Sequence, residues 1–177
     1  MSATTWAIDP LHSEVQFKVK HLVISTVTGS FTKFQGSATT QGDNFENAAI
    51  EFSLDTDSIS THQAQRDEHL RSPEFFDTAT YPTISFRSTG FKKVSDDQYT
   101  LTGDLTMKGI TKSITLDAEY GGTAKDPWGN IRHGFEVKGI VNRKEFGLTY
   151  SALTETGGLA LGEDIKFVAN IQVAKPA

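Results

Sequence analysis

Tyr99-Thr100-Leu101-Thr102-Gly103-Asp104-Leu105-Thr106-Met107 places an apolar or small residue at every odd position and a polar one at every even position. A period of two sends alternate side chains to opposite faces of a pleated strand, so the stretch reads as a strand with one dry and one wetted face. The same pattern recurs outward in both directions. Val15, Phe17 and Val19 alternate with Glu14, Gln16, Lys18 and Lys20, and Ala48, Ile50, Phe52 and Leu54 alternate with Ala49, Glu51, Ser53 and Asp55. Ile114, Leu116, Ala118 and Tyr120 oppose Thr115, Asp117 and Glu119. Phe135, Val137, Gly139 and Val141 oppose Glu136 and Lys138, and the last run is Ile165, Phe167, Ala169, Ile171 and Val173. Weaker runs at 26–40 (Val27, Phe31, Phe34) and 83–92 (Ile84, Phe86) bring the number of strands to eight.

Turn signals such as Gln41-Gly-Asp-Asn44, Ser95-Asp-Asp97, Lys108-Gly109 and Asp126-Pro-Trp-Gly-Asn130 separate most of these runs, and short connections favour antiparallel neighbours. Eight strands with one apolar face each bury those faces by closing into a barrel or stacking as a sandwich. A barrel is expected, because no second set of elements is available to cover an open sheet. The predicted fold is therefore all-β, an eight-stranded antiparallel barrel forming one domain over 1–177. One segment departs from the pattern. Residues 61–72, Thr-His-Gln-Ala-Gln-Arg-Asp-Glu-His-Leu-Arg-Ser, are polar and stop at Pro73, which predicts a short helix capped by Ser60 or Thr61 and lying across a barrel end or side. A second helical turn is expected at 21–25.

Composition excludes several function classes. The 177 residues carry 17 Lys+Arg against 22 Asp+Glu, a formal charge of −5 with both signs interspersed, which argues against nucleic acid as a partner. The absence of cysteine removes disulfide scaffolds, thiolate nucleophiles and Cys-based metal sites. No stretch approaches the ~18 apolar residues of a membrane span. The start has neither a basic nor an apolar signal region, so the chain reads as cytoplasmic as written, with a periplasmic location as the alternative if a signal peptide has been removed.

An eight-stranded barrel is wide enough either to be filled by its own side chains or to hold one small ligand. The inward set is the candidate tunnel lining: Val15, Phe17, Val19, Phe31, Ile50, Phe52, Phe86, Leu101, Leu105, Leu116, Phe135, Val137, Val141, Phe167 and Ile171. Small residues on the same faces, Ala48, Gly103, Ala118, Gly139 and Ala169, would leave clearance in a tunnel, or else alternate with the large ones to fill a taper.

Four polar constellations could carry chemistry. Asp9-Pro-Leu-His12-Ser13 opens the first strand, and it reads either as a hydrogen-bonded turn or as a ligand site. On the helix, His62, Arg66 and His69 fall at i, i+4 and i+7, one face, while Asp67 and Arg71 form an i, i+4 pair. In Asn142-Arg143-Lys-Glu-Phe146-Gly147, Arg143 continues the apolar parity of Val141. A guanidinium there needs either a buried partner, Asp67 or Glu68, or a cavity mouth where it holds a ligand head. Pro73-Glu-Phe-Phe-Asp77 and Tyr81-Pro82 read as a loop whose rings anchor helix to barrel. No H-E-x-x-H, G-x-S-x-G or Gly-rich phosphate loop is present, so no metal, nucleophile or cofactor motif accompanies these groups.

The chain resembles the YceI-like family of lipocalin-like, polyisoprenoid-binding proteins over nearly its whole length. The matching residues include Trp6-x-Ile8-Asp9-Pro-x-His12-Ser13-x-Val15-x-Phe17-x-Val19-x-His21-Leu22, Gly29-x-Phe31 and Ser58-Ile59-x-Thr61. They continue through Arg66-Asp67-x-His69-Leu70, Phe75-Phe76-Asp77, Tyr81-Pro82-x-Ile84-x-Phe86, Gly103-x-Leu105-Thr106-x-Lys108-Gly109-Ile110-Thr111 and Asn142-Arg143-x-x-Phe146-Gly147. The resemblance implies an elongated apolar tunnel holding a long isoprenoid chain, of quinone or prenyl-phosphate type, or a fatty-acid-like amphiphile. A strand of about ten residues rises ~33 Å, room for several isoprene units end to end. No cofactor is implied beyond the bound lipid, and homodimerisation is an open alternative. His12, His21, Arg66, Asp67, His69 and Arg143 are the candidate head-group residues, and all of them except His21 are expected to form one network at one mouth. Two other readings stand beside a lipid carrier. One is an enzyme acting on the head group through His12, His69 and Asp67, and the other is a solidly packed structural or interaction barrel.

Overall fold

Lys108 and Gly109 both have positive φ (52° and 77°), the backbone that a two-residue hairpin turn requires and that glycine adopts without strain. They join Gln98–Met107 to Ile110–Lys125 with Met107 opposite Ile110. Connections of this kind order the whole chain. In the computed structural model, which describes residues 3–21, 24–149 and 161–175, the strands are β1 (Ala3–Ile8), β2 (Glu14–His21), β3 (Ser25–Phe31), β4 (Phe34–Gln41), β5 (Asn44–Asp55) and the two-residue β6 (Ile59–Ser60). The helix α1 (Ala64–Arg71) follows, then β7 (Thr83–Ser95), β8 (Gln98–Met107), β9 (Ile110–Lys125), β10 (Ile131–Asn142) and β11 (Asp164–Lys175).

Two of the long strands are broken. A 3₁₀ turn at Pro10–His12 divides β1 from β2, and both lie on one edge of β11: Ile8 opposite Val173, Phe17 opposite Phe167. Thr32 and Lys33 likewise divide β3, which pairs with β2, from β4, which pairs with β1. Taking each broken strand once, the ring runs β1/β2, β3/β4, β5, β7, β8, β9, β10, β11 and closes through the β1–β11 pairing. This is an eight-stranded antiparallel barrel with one helix, as the alternation requires.

The helix begins later than expected. Neither Ser60 nor Thr61 caps it. Ser60 belongs to β6, and Thr61 gives its N–H and hydroxyl to the Asp67 carboxylate at 2.8 and 2.5 Å. That tether draws the chain into a tight turn with His62 at φ 62°, so His62 lies outside the helix and off the face of Arg66 and His69. Arg71 does not pair with Asp67 either. It donates to the carbonyls of Asp57 and Ile59 and lies 3.5 Å from the Asp57 carboxylate. As for the helical turn expected at 21–25, His21 ends β2 and Ser25 opens β3, while Leu22 and Val23 lie outside the described residues. The barrel also has a strand that the periodicity did not include, β1, whose Trp6 is fully buried.

Candidate functional site

The two ends of the barrel differ. At one, α1 and the segments around residues 56–82 and 143–149 cover the strand ends; at the other, the β4–β5, β7–β8 and β9–β10 hairpins turn back. Two cavities lie between. The inner chamber has a volume of about 180 Å³, and the vestibule on the helix side about 290 Å³. Val15, Ile50, Phe52, Phe86, Leu101, Leu105, Leu116, Phe135, Val137, Val141 and Ile171 line the chamber, Phe17, Val19 and Phe31 line the vestibule, and Phe167 lines both. Ser37 and Lys138 contribute only carbon to the chamber wall. An apolar void of this size stays dry and favours an apolar occupant, as an engineered cavity of about 150 Å³ does when it takes up benzene.

The glycines of the inward set do not provide this clearance. A Cβ on Gly139 would fall on Leu116 Cδ2. One on Gly103 would meet the Phe86 ring and, at 2.5 Å, the carbonyl oxygen of Arg87. Each glycine gives its space to a neighbour's side chain, which therefore lies flat against the wall.

The vestibule is where charge enters. Arg66, His69 and Arg143 all contribute to its wall, and no carboxylate does among the described residues. Arg143 follows β10, with Asn142 accepting from the Lys144 N–H to start a single 3₁₀ turn and Gly147 (φ 76°) ending it. Its side chain is 2 % exposed. The guanidinium donates from Nε to the Gly162 carbonyl at 2.8 Å and from Nη1 to the Leu148 carbonyl at 2.5 Å, so its partners include backbone carbonyls and neither of the expected Asp67 and Glu68. Burial pushes its pKa down, against an opposing pull from Glu163, but an arginine remains charged at ordinary pH. A fixed positive charge therefore stands in the vestibule wall.

Asp67 does not face the vestibule. It is buried, and its carboxylate holds Thr61, whose hydroxyl oxygen accepts from Arg66 Nε at 2.7 Å while the Thr61 carbonyl accepts from Arg66 Nη2 at 2.9 Å. Asp67 positions Arg66 through Thr61. His69 pairs through Nε2 with Glu74 and packs its ring edge against Phe75, 5.0 Å away. The Phe75-Phe76 pair anchors the loop and also walls the vestibule, with Phe76 edge-on to Phe31 at 5.9 Å. His21 pairs with Ser25 at the end of β2; its side chain lies outside the described residues.

His12 does not join this group. Its Nδ1 lies 2.7 Å from Asp9 Oδ2, which also accepts from Arg132 Nη1 at 2.6 Å; Arg132 in turn bonds Gln172 and Asp126. Glu163, whose carbonyl accepts from the Arg143 N–H, immediately precedes β11, and Gln172 lies nine residues further along, roughly 30 Å of extended chain. The expected single network is therefore two. The hydrogen bond from His12 holds Asp9 down to about 2 with help from Arg132, against the opposing effect of burial. The set His12, His69 and Asp67 is not assembled into an acid–base or metal site. Among the described residues no group of three His, Asp or Glu is placed to hold a metal ion.

Trp6, Phe45 and His133 lie outside the inward set read from the sequence, whereas Tyr120 and Phe135 follow its parity. At the hairpin end, Trp6, Phe45, Tyr120, His133 and Phe135 pack ring on ring, with His133 edge-on to Trp6 and Phe45 at 4.7 and 4.8 Å. Trp6 Nε1 donates to Thr40 Oγ1 at 2.9 Å, His133 Nδ1 meets the Tyr120 hydroxyl at 2.8 Å, and burial pushes the His133 pKa down. This aromatic cluster shuts the chamber at that end.

Comparison with known proteins agrees with this architecture. The model of the YceI-like domain matches residues 6–173. Protein YceI of Escherichia coli O17:K52:H18 is 42 % identical over 137 residues, 77 % of this chain and 71 % of that protein. The crystal structure of Campylobacter jejuni YceI protein superposes with a TM-score of 0.78 at 31 % identity, covering 90 % of this chain and 91 % of that one. A polyisoprenoid binding domain from Saccharophagus degradans, implicated in plant cell wall breakdown, has the same fold, with a TM-score of 0.70 at 16 % identity over 97 % and 98 % of the two chains.

Proposed function

This chain belongs to the YceI-like domain family, and from that premise we propose that it is a binding protein for a long-chain isoprenoid amphiphile with an acidic or strongly polar head. The observation that carries the reading is the succession of two cavities of opposite character. A carbon-lined chamber is followed by a vestibule whose ionisable wall groups are Arg66, His69 and Arg143. The chamber gives affinity through apolar area removed from water, about 25 cal/mol per Å², and the vestibule fixes orientation by placing positive charge beside the head. The polyisoprenoid binding named for the Saccharophagus degradans domain supports the same ligand class.

A carrier fits the site better than an enzyme, because His69 in the vestibule wall is not joined there by the other side chains expected to move a proton. Asp67 is committed to Thr61, and His12 stands near the other end. A solidly packed module is disfavoured by the cavities themselves. The test is titration of the purified chain with farnesyl phosphate, farnesol and a straight-chain fatty acid, followed by native mass spectrometry. The reading expects one-to-one complexes with farnesyl phosphate tightest. It fails if none of the three binds.

A further inference from the structure

The two cavities are successive lengths of one path. Along the inward face of β11, Ile165 belongs to the vestibule, Phe167 to both walls and Ala169 to the chamber. On β2 the change falls between Phe17 and Val15, and at the end of β10 between Val141 and Arg143 of the turn that follows. Because Phe167 is the register partner of Phe17, and Ile165 that of Val141, these crossings all fall beside the short stretch of β11 from Asp164 to Ala169. A side chain at that level decides whether the path is open.

Two rings meet there, and they are held differently. Phe17 lies in the space over Gly29 that a Cβ would otherwise claim, and is braced by Phe31 at 5.5 Å. Phe167 has a void on either side. Its register partner on β10 is Gly139, which brings no side chain of its own, the space above it being taken by Leu116 of β9. A ring between two voids can change rotamer by entering one of them, without displacing packed neighbours; a ring seated in a close-packed wall cannot.

We propose that Phe167 is the movable partition between vestibule and chamber, and so the residue that makes ligand exchange depend on chain length. A short apolar chain stays in the vestibule and leaves the ring in place. A long one must turn it aside on entering and again on leaving. The inference rests on the preceding reading that this path takes a prenyl amphiphile.

The test uses the full chain, its Phe167→Ala and Phe167→Leu variants, and two probes, geranyl monophosphate and geranylgeranyl monophosphate, with ten and twenty prenyl carbons. Binding and release are followed by time-resolved native mass spectrometry. Phe167→Ala should speed both association and release of the longer probe at least tenfold, and those of the shorter, which touches the ring only from the vestibule side, by at least threefold less, with Phe167→Leu in between. Circular dichroism verifies that both variants are folded. Unchanged rates for the longer probe in folded variants, or equal acceleration of both probes, would overturn the partition while leaving the binding reading intact. Failure of either probe to bind the unsubstituted chain would instead overturn the binding reading, and the partition with it.

Discussion

Replacing Ala169 by leucine separates a ligand chamber from an incidental void. Ala169 lies on the inward face of β11, opposite Val15 and Val137, and forms part of the chamber wall. Leucine adds three carbons there. Burying them is worth up to about 2.4 kcal/mol at ~0.8 kcal/mol per CH₂, and fitting them costs about 1–3 kcal/mol in adjusted rotamers. The stability of the empty protein should therefore stay within about 1–2 kcal/mol of the parent, by urea titration. The same three carbons occupy space a bound chain would fill. At ~0.8 kcal/mol each, affinity for farnesyl phosphate should fall by about 2.4 kcal/mol, roughly 50-fold. Val168→Leu, one residue along and on the outer face, serves as control and should change affinity less than twofold. If folded Ala169→Leu binds within threefold of the parent, ligand does not enter the chamber and the reasoning fails.

Four further outcomes follow from the geometry. Arg143→Met leaves the Gly162 and Leu148 carbonyls without their donor; it should cost about 2–4 kcal/mol in chemical denaturation and abolish the preference for farnesyl phosphate over farnesol. Asp67→Ala frees Thr61 and, through it, Arg66; a loss of about 2–3 kcal/mol is expected, with weaker binding of phosphate-headed probes only. Asp9 titrates at about 2 in the folded chain and near 3.9 unfolded. Its ionised form is thus favoured by folding, giving a contribution that is complete above pH ~4 and lost as pH falls through 2. Asp9→Asn should be less stable than the parent by about 1–2 kcal/mol at pH 7, with the two converging near pH 2 in acid titrations. Gly103→Ala sets a Cβ against the Arg87 backbone, and Gly139→Ala against the flexible end of Leu116. The first should lower the melting temperature more than the second, and the second should also reduce ligand capacity by pushing Leu116 into the chamber.

The barrel was legible because strict alternation survives wherever the ladder is regular, as along β8, β11 and the β5 run from Ala48 to Leu54. It was lost where a bulge shifts the parity. Phe45 and Phe91 are buried, yet each falls out of step with the inward residues of its strand. The register shifts between Thr39 and Gln41 on the partner of β5, with Asn47 at φ 68°, and between Ser88 and Gly90 on β7. An extra residue in a bulge turns the following side chains to the other face, and nothing in the composition of these segments marks the place. His133 shares the parity of Phe135 and was within reach of the same reasoning. The polar site was harder, because hydrogen bonding decided it. Arg66, His69 and Arg143 come together as the sequence suggested. His12 is drawn away by Asp9 and Arg132, a pairing across 123 residues that no local spacing announces. β1 was hidden by its Thr4-Thr5 pair, which left too few apolar positions for a period to show.

The central claim, that the barrel is a container for a prenyl amphiphile, is tested most directly by weighing the protein as it comes from the cell. Gently purified chain, sprayed under native conditions and then extracted with organic solvent, should carry a one-to-one adduct, and the extract should contain a lipid with a repeating five-carbon chain. A chain that emerges at its bare mass, and gains no adduct after incubation with farnesyl or geranylgeranyl phosphate, would contradict the account.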